Sequence, residues 1–246
     1  MDALSYYPAK EPYYLKGILN LLSYSYNQLV ADKSVNKYSR KKILQQHIEV
    51  KGNEGKKTKL ELEDYLRNDL VTCYIQKHQK EFSELKYFQF IPGADEIANK
   101  ITIGSLDLKV IIPTSGYSIT GNYLAIEFKR INKEAGKKRY YVDGGVKKFI
   151  DRQYYPEIDT PTATMVGIME AEKNSYIENA EKIASSINTL LNNNHGGSIL
   201  EKLNLIRNDL EGYDGVEIYN SKIKRVDNSE LNIIHIFLDY YNLIET

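Results

Sequence analysis

The stretches LDLKVIIP (106–113) and NYLAIEFKRI (122–131) decide the fold. Both are short, aliphatic and β-prone, and TSGYSITG (114–121) between them supplies turn chemistry, which predicts an antiparallel hairpin with a long loop. A hairpin centred on Tyr117 sets Leu108 opposite Ile126, Val110 opposite Leu124 and Leu106 opposite Phe128, three apolar pairs on one face. The same register sets Asp107 opposite Glu127 on the other face. Side chains alternate along a strand, so Lys129 points the same way as Glu127.

Working outward, TATMVGIME (162–170) is a continuous apolar run suited to a buried strand, and GGVKKFIDRQYY (144–155) before it has helical spacing. Strand, helix, strand predicts a crossover with parallel pairing. Upstream, YFQFI (87–91) reads as a short strand. Leu62, Leu66, Leu70, Cys73 and Tyr74 line one side of a helix over about 60–79, with Cys73 as a small buried thiol. Residues 13–31 form an amphipathic helix. The run KGNEGKKTK (51–59) has no apolar residue and reads as a basic linker or loop. Downstream come a helix over about 171–192, a second around 198–210, and two strands, VEIYNSKIKRV and LNIIHIFLDYY, joined by DNSE. The whole is α/β, with an N-terminal helical elaboration and linker over 1–59 and one domain over 60–246.

Composition narrows the partners. Lys and Arg together number 33 and so do Asp and Glu, so the neutral chain is no polycation, and any anion-binding surface is local. One such surface lies between Lys129 and Arg152, where Arg130, Lys133, Lys137, Lys138, Arg139, Lys147 and Lys148 outnumber Glu134, Asp143 and Asp151. A single cysteine excludes an internal disulfide and a cysteine-rich zinc cluster. With no basic leader followed by an apolar run, and no span of about 20 apolar residues, the expectation is a cytoplasmic chain without membrane contact. His235 lies in an apolar strand and reads as a core or edge histidine.

Asp107, Glu127 and Lys129 carry the chemistry. Two facing carboxylates repel unless a proton or cation lies between them, and hard oxygen donors with no nearby Cys or His favour magnesium, with manganese as a substitute. Such an ion binds a scissile phosphate oxygen and acidifies a water, while Lys129 orients or deprotonates that water or neutralises the charged transition state. Phosphodiester hydrolysis fits all three side chains. Glu-x-Lys also occurs at Glu49, Glu54 and Glu84, but none of these sits in a strand in register with an Asp. The alternative is a solvated hairpin face on which Lys129 pairs with its acidic neighbours.

A helix, a hairpin with Asp on its first strand and IEFK on its second, a helix and another strand resemble the PD-(D/E)XK nucleases, the restriction-endonuclease-like superfamily, over residues 60–170. The resemblance implies a mixed central sheet and metal ligation by Asp107 and Glu127, with Lys129 as the motif lysine. Leu106 stands where the family name has proline. It also implies a further metal ligand on the first helix, Glu63, with Asp69 as competitor, and a basic residue from the helix after the triplet, Lys147 or Lys148. Arg152 flanks that helix as a further nucleic-acid contact, and Gly144-Gly145 would let backbone amides approach a phosphate near the helix start. The implied activity is a magnesium-dependent endonuclease acting on DNA rather than RNA, in bacterial or phage restriction or antiviral defence. Two rivals stand beside it: a catalytically silent, nuclease-like binding or regulatory module, and an interaction protein that forms a homodimer or joins a multi-component assembly.

Overall fold

The computed structural model describes residues 11–55, 62–98, 101–113, 123–155, 162–170, 176–206 and 214–245. The hairpin turn around Tyr117 and the basic residues Lys56, Lys57 and Lys59 lie outside them. Seven strands, β1 (Gln89–Ala98), β2 (Ile101–Ile111), β3 (Tyr123–Ile131), β4 (Thr162–Met169), β5 (Ile199–Leu205), β6 (Val216–Lys224) and β7 (Glu230–Asp239), form one mixed sheet. Its order is β1-β2-β3-β4-β7-β6-β5. β3 pairs parallel with β4, and β4 parallel with β7, while the outer pairs are antiparallel.

Both faces of the sheet are covered, which is why β4 is buried along its whole length and reads as an unbroken apolar run. On one face lie α1 (Glu11–Lys33) and α3 (Leu62–Asp69), packing Ile18, Leu21, Leu22, Leu62 and Leu66 against Leu108, Val110, Ile126 and Phe128. On the other lie α5 (Ala135–Tyr141), α6 (Lys147–Ile150) and α7 (Tyr176–His195), packing Tyr141, Phe149, Ile183 and Ile187 against Ala125, Met165 and Phe237. A π-turn (Leu70–Ile75) joins α3 to the short α4 (Gln76–His78), and a second (Val142–Val146) joins α5 to α6. Among the described residues no helix is long and apolar enough to cross a membrane.

The hairpin register is as expected where the ladder holds, with Leu108 opposite Ile126 and Val110 opposite Leu124. Beyond Leu108 the strands part. The Phe128 amide donates to Asp107 Oδ2 (2.8 Å) instead of to a strand carbonyl, and Leu106 packs with the α5–α6 layer rather than opposite Phe128.

Other expectations need correction. Residues 199–205, expected within a helix, form the edge strand β5, held by pairing with β6 that no local pattern announces. α2 (Arg40–Gly55) takes in the first part of the expected linker, with a break at Gly52, where φ is +62°. Cys73 is exposed, because the wider π-turn advances Tyr74 and Ile75 onto the buried side and swings residue 73 outward.

His235 is fully buried, as its strand context implies, between Tyr141 Oη (2.9 Å from Nδ1) and Ser221 Oγ (2.8 Å from Nε2). Burial holds its pKa down at about 3. Unfolding therefore takes up a proton between about pH 3 and 6.5, so stability is lost as pH falls through that window, by up to about 1.4 kcal/mol per pH unit. In thermal melts from pH 7 to 4.5, His235→Gln is expected to flatten the fall in Tm seen in the parent; parallel curves would refute this assignment. At the sheet centre a Cβ on Gly167 would come within 2.5 Å of Phe237 Cδ1. Gly167→Ala is expected to cost about 1–3 kcal/mol in chemical denaturation.

Candidate active site

The parting of β2 and β3 opens a gap that side chains from both helical layers enter. From β3, Glu127 and Lys129 project into it and are almost wholly buried, at 1% and 3% exposure. From β2 comes Asp107. From α3, Glu63 and Arg67, one helical turn apart, reach down from one layer, and Lys148 on α6 arrives from the other with Tyr154 just beyond the helix.

The centre of the site is the Lys129 ammonium. Glu127 Oε1 (2.7 Å), the Phe128 carbonyl oxygen (2.7 Å), Asp107 Oδ2 (3.3 Å) and Glu63 Oε1 (3.3 Å) surround Nζ. The remaining carboxylate oxygens are also engaged. Asp107 Oδ1 accepts from Arg67 (2.5 Å), Glu63 Oε2 from the Arg130 amide (2.7 Å), and Glu127 Oε2 from the Tyr154 hydroxyl (2.7 Å). Lys148 donates to Glu127 Oε1 (2.8 Å) and to Tyr154 Oη (2.7 Å). Arg67 is shared with Asp64 (2.8 Å).

These contacts set protonation. Burial alone would lower the pKa of Lys129, but Glu127, Asp107 and Glu63 outweigh it and push it well above the ordinary lysine value. With the carboxylates turned on it, the ammonium is held charged. Burial raises the pKa of Glu63, against the opposing pull of Lys129 and the Arg130 amide.

Of the residues singled out from sequence, Asp107, Glu127, Lys129, Glu63 and Lys148 meet here. Asp69 does not: it accepts from Tyr38 Oη (2.5 Å) and pairs with Lys33 (3.6 Å). Lys147 pairs with Asp151 on the surface, and Arg152 pairs with Asp227, so neither reaches the cluster. Gly144 and Gly145 lie in the π-turn inside the helical run that α5 begins, so they present no helix start to a phosphate; a Cβ on Gly145 would come within 2.4 Å of Met165 Cε. Sequence reasoning missed Arg67 and the role of Tyr154. The spacing Glu63-x-x-x-Arg67 could have found the first, since residues four apart share a helix face. Nothing local could have found the second, because the chain leaves the helix before Tyr154 and turns back.

The donor set suits a hard divalent cation: three carboxylates and a carbonyl, all oxygen, directed at one point. That point is taken by Nζ, and among the described residues no group of three or more His, Cys, Asp or Glu side chains, these three carboxylates included, is disposed to hold a metal ion as the side chains stand. The protein's own lysine serves as the cation of its acidic cage. Matches to family models, curated proteins and solved structures were sought, and none was found. The roles of these side chains therefore have to be read from their own geometry.

Removing the ammonium exposes the cage. Lys129→Ala is expected to lower the Tm in chelator, because three carboxylates then face one another, and millimolar magnesium should restore about 5 °C or more of it. A variant whose Tm does not rise with magnesium would show that these oxygens do not form a cation site.

Proposed function

We propose that this chain is a metal-dependent nuclease of the restriction-endonuclease-like kind, hydrolysing phosphodiester bonds in DNA. The observation that carries the reading is the convergence of Glu63, Asp107 and Glu127 on one buried cationic centre, reached from both sides of the sheet. Burying ionised groups costs several kcal/mol each and is repaid only in part by their pairing, so the cluster is poorly explained as a stabilising device. Buried, strongly coupled charges of this kind concentrate at catalytic sites. The order of elements around it supports the same reading: helix, antiparallel hairpin with Asp then Glu-x-Lys, helix, parallel strand. DNA as the substrate rests on the resemblance.

In this reading Asp107 and Glu127 would hold magnesium or manganese, with Glu63 as a third carboxylate. When bound, the ion supplies a polarised phosphate oxygen and a water acidified towards hydroxide. The Lys129 ammonium would turn from the carboxylates to the non-bridging phosphate oxygens and neutralise charge as it builds on them. Lys148 and Tyr154 hold the Glu127 carboxylate in orientation, and Arg67 does the same for Asp107. Water adds to phosphorus and gives up one proton to solvent, the bond to the departing sugar oxygen breaks, and that oxygen takes up a proton from solvent.

One observation favours a second reading, the catalytically silent binding module. Every oxygen of Glu63, Asp107 and Glu127 already has a protein partner, so the cluster is complete as an ion-pair network. Cleavage assays separate the two. The pure chain is expected to cut plasmid and linear DNA with magnesium and not with chelator, and Asp107→Asn and Lys129→Ala each to slow cutting by about 100-fold or more. Salt-sensitive DNA binding with no cutting under magnesium or manganese would leave the silent module as the function.

A further inference from the structure

Four tyrosines flank the helix that delivers Lys148. Tyr141, Tyr154 and Tyr155 are fully buried, with their rings inside the α5–α6 core, whereas Tyr140 is 52% exposed. Its ring centroid lies 5.6 Å from Lys129 Nζ, so this half-exposed ring stands beside an almost fully buried ammonium. The ring is also seated. A Cβ on Gly144 would come within 2.7 Å of Tyr140 Cε2, 2.9 Å of Cδ2 and 3.1 Å of Cζ, so only glycine leaves room for the ring against the helix backbone at that point. A large aromatic surface is thus held in place next to the reactive centre. Arg139, exposed beside it, adds positive charge.

We propose that Tyr140 is a stacking platform for one unpaired nucleobase of the substrate, next to the phosphate that faces Lys129. The proposal rests on the nuclease reading and adds the state of the strand to it. A single sugar separates a base from its own phosphate, so a phosphate drawn to Lys129 brings the adjoining base within reach of a ring 5.6 Å away. Inside a duplex that base is already stacked and paired on its neighbours. The ring can take it only from a single strand, a frayed end or a locally opened pair. Stacking on an aromatic face tolerates any base, so the contact confers strandedness rather than sequence preference.

The chain has no tryptophan, so Tyr140→Trp places a single indole fluorophore at the site. The variant is titrated in chelator, where binding is read without cutting, with a single-stranded thymidine oligonucleotide, the same length of abasic deoxyribose-phosphate, and a blunt duplex. The indole emission should be quenched saturably by the thymidine strand and far less by the abasic strand or the duplex. In anisotropy with labelled strands, Tyr140→Ala should weaken the thymidine strand about 10-fold and the abasic strand hardly at all, with Tyr140→Phe close to the parent. Matching melting curves for the three variants establish that the fold is intact. Equal quenching by thymidine and abasic strands, or a Tyr140→Ala variant that binds the thymidine strand as the parent does, would overturn the stacking role while leaving the nuclease reading standing. A parent chain that binds no nucleic acid at all would overturn both. A Tyr140→Ala variant that cuts slowly yet keeps its preference for thymidine over abasic strand would make the ring a prop for Lys129 and not a substrate contact.

Discussion

The site is organised by a charged lysine that the protein has buried among carboxylates. Lys129 is 3% exposed and is ringed by oxygens of Glu127, Phe128, Asp107 and Glu63 at 2.7–3.3 Å. Neither the ammonium nor the carboxylates could be left alone at that depth, since an unpaired buried charge costs more than a pair. Each therefore requires the others, and with them the strand and helices that carry them. Arg67 and Lys148 extend the same logic, balancing Asp107 from one layer and Glu127 from the other.

That balance depends on a local failure of β pairing. In a sheet that stayed regular past Leu108, Asp107 and Glu127 would project towards one helical layer, and Glu63 on the opposite layer would be shut out. Because the Phe128 amide bonds the Asp107 carboxylate, the two strands part, and the gap admits side chains from both sides. The two helical runs that deliver those side chains each contain a π-turn, at Leu70–Ile75 and Val142–Val146. A π-turn changes the phase of a helix by a fraction of a turn, which lets one run satisfy its core packing and its site contacts together, and such turns recur at functional sites. Gly145 tightens this arrangement by letting the second run approach Met165 and the stem of Lys129.

Away from the gap the structure is conventional in its energetics. Apolar layers on both faces bury β3 and β4, and the polar chain Tyr141–His235–Ser221 crosses the core with its groups hydrogen-bonded and the imidazole neutral. The contrast is informative. The histidine network is a satisfied neutral one, whereas the cluster at Lys129 keeps its charges at a cost to stability, a feature that concentrates at functional sites.

The sequence by itself determined the strand pair, its register over Leu108–Ile126 and Val110–Leu124, the parallel crossover into β4 and the neighbourhood of Asp107, Glu127 and Lys129. The pairing and its register follow from period-two alternation and turn chemistry, and the crossover from a helical spacing set between two apolar runs, all of them local patterns that act before distant parts of the chain meet. It favoured Glu63 on the first helix with Asp69 still a competitor, misread 199–205 as helix, and gave no sign of Arg67 or of Tyr154 as a partner of Glu127. Only the tertiary structure decided those: Asp69 turns to Tyr38 and Lys33, β5 exists because β6 offers it a partner, and Arg67, Lys148 and Tyr154 reach the carboxylates through a gap where the ladder gives way. Periodicity records which face of an element is buried. It does not record where two strands separate or which charges from different layers must then neutralise one another, because that balance is struck only when the layers close.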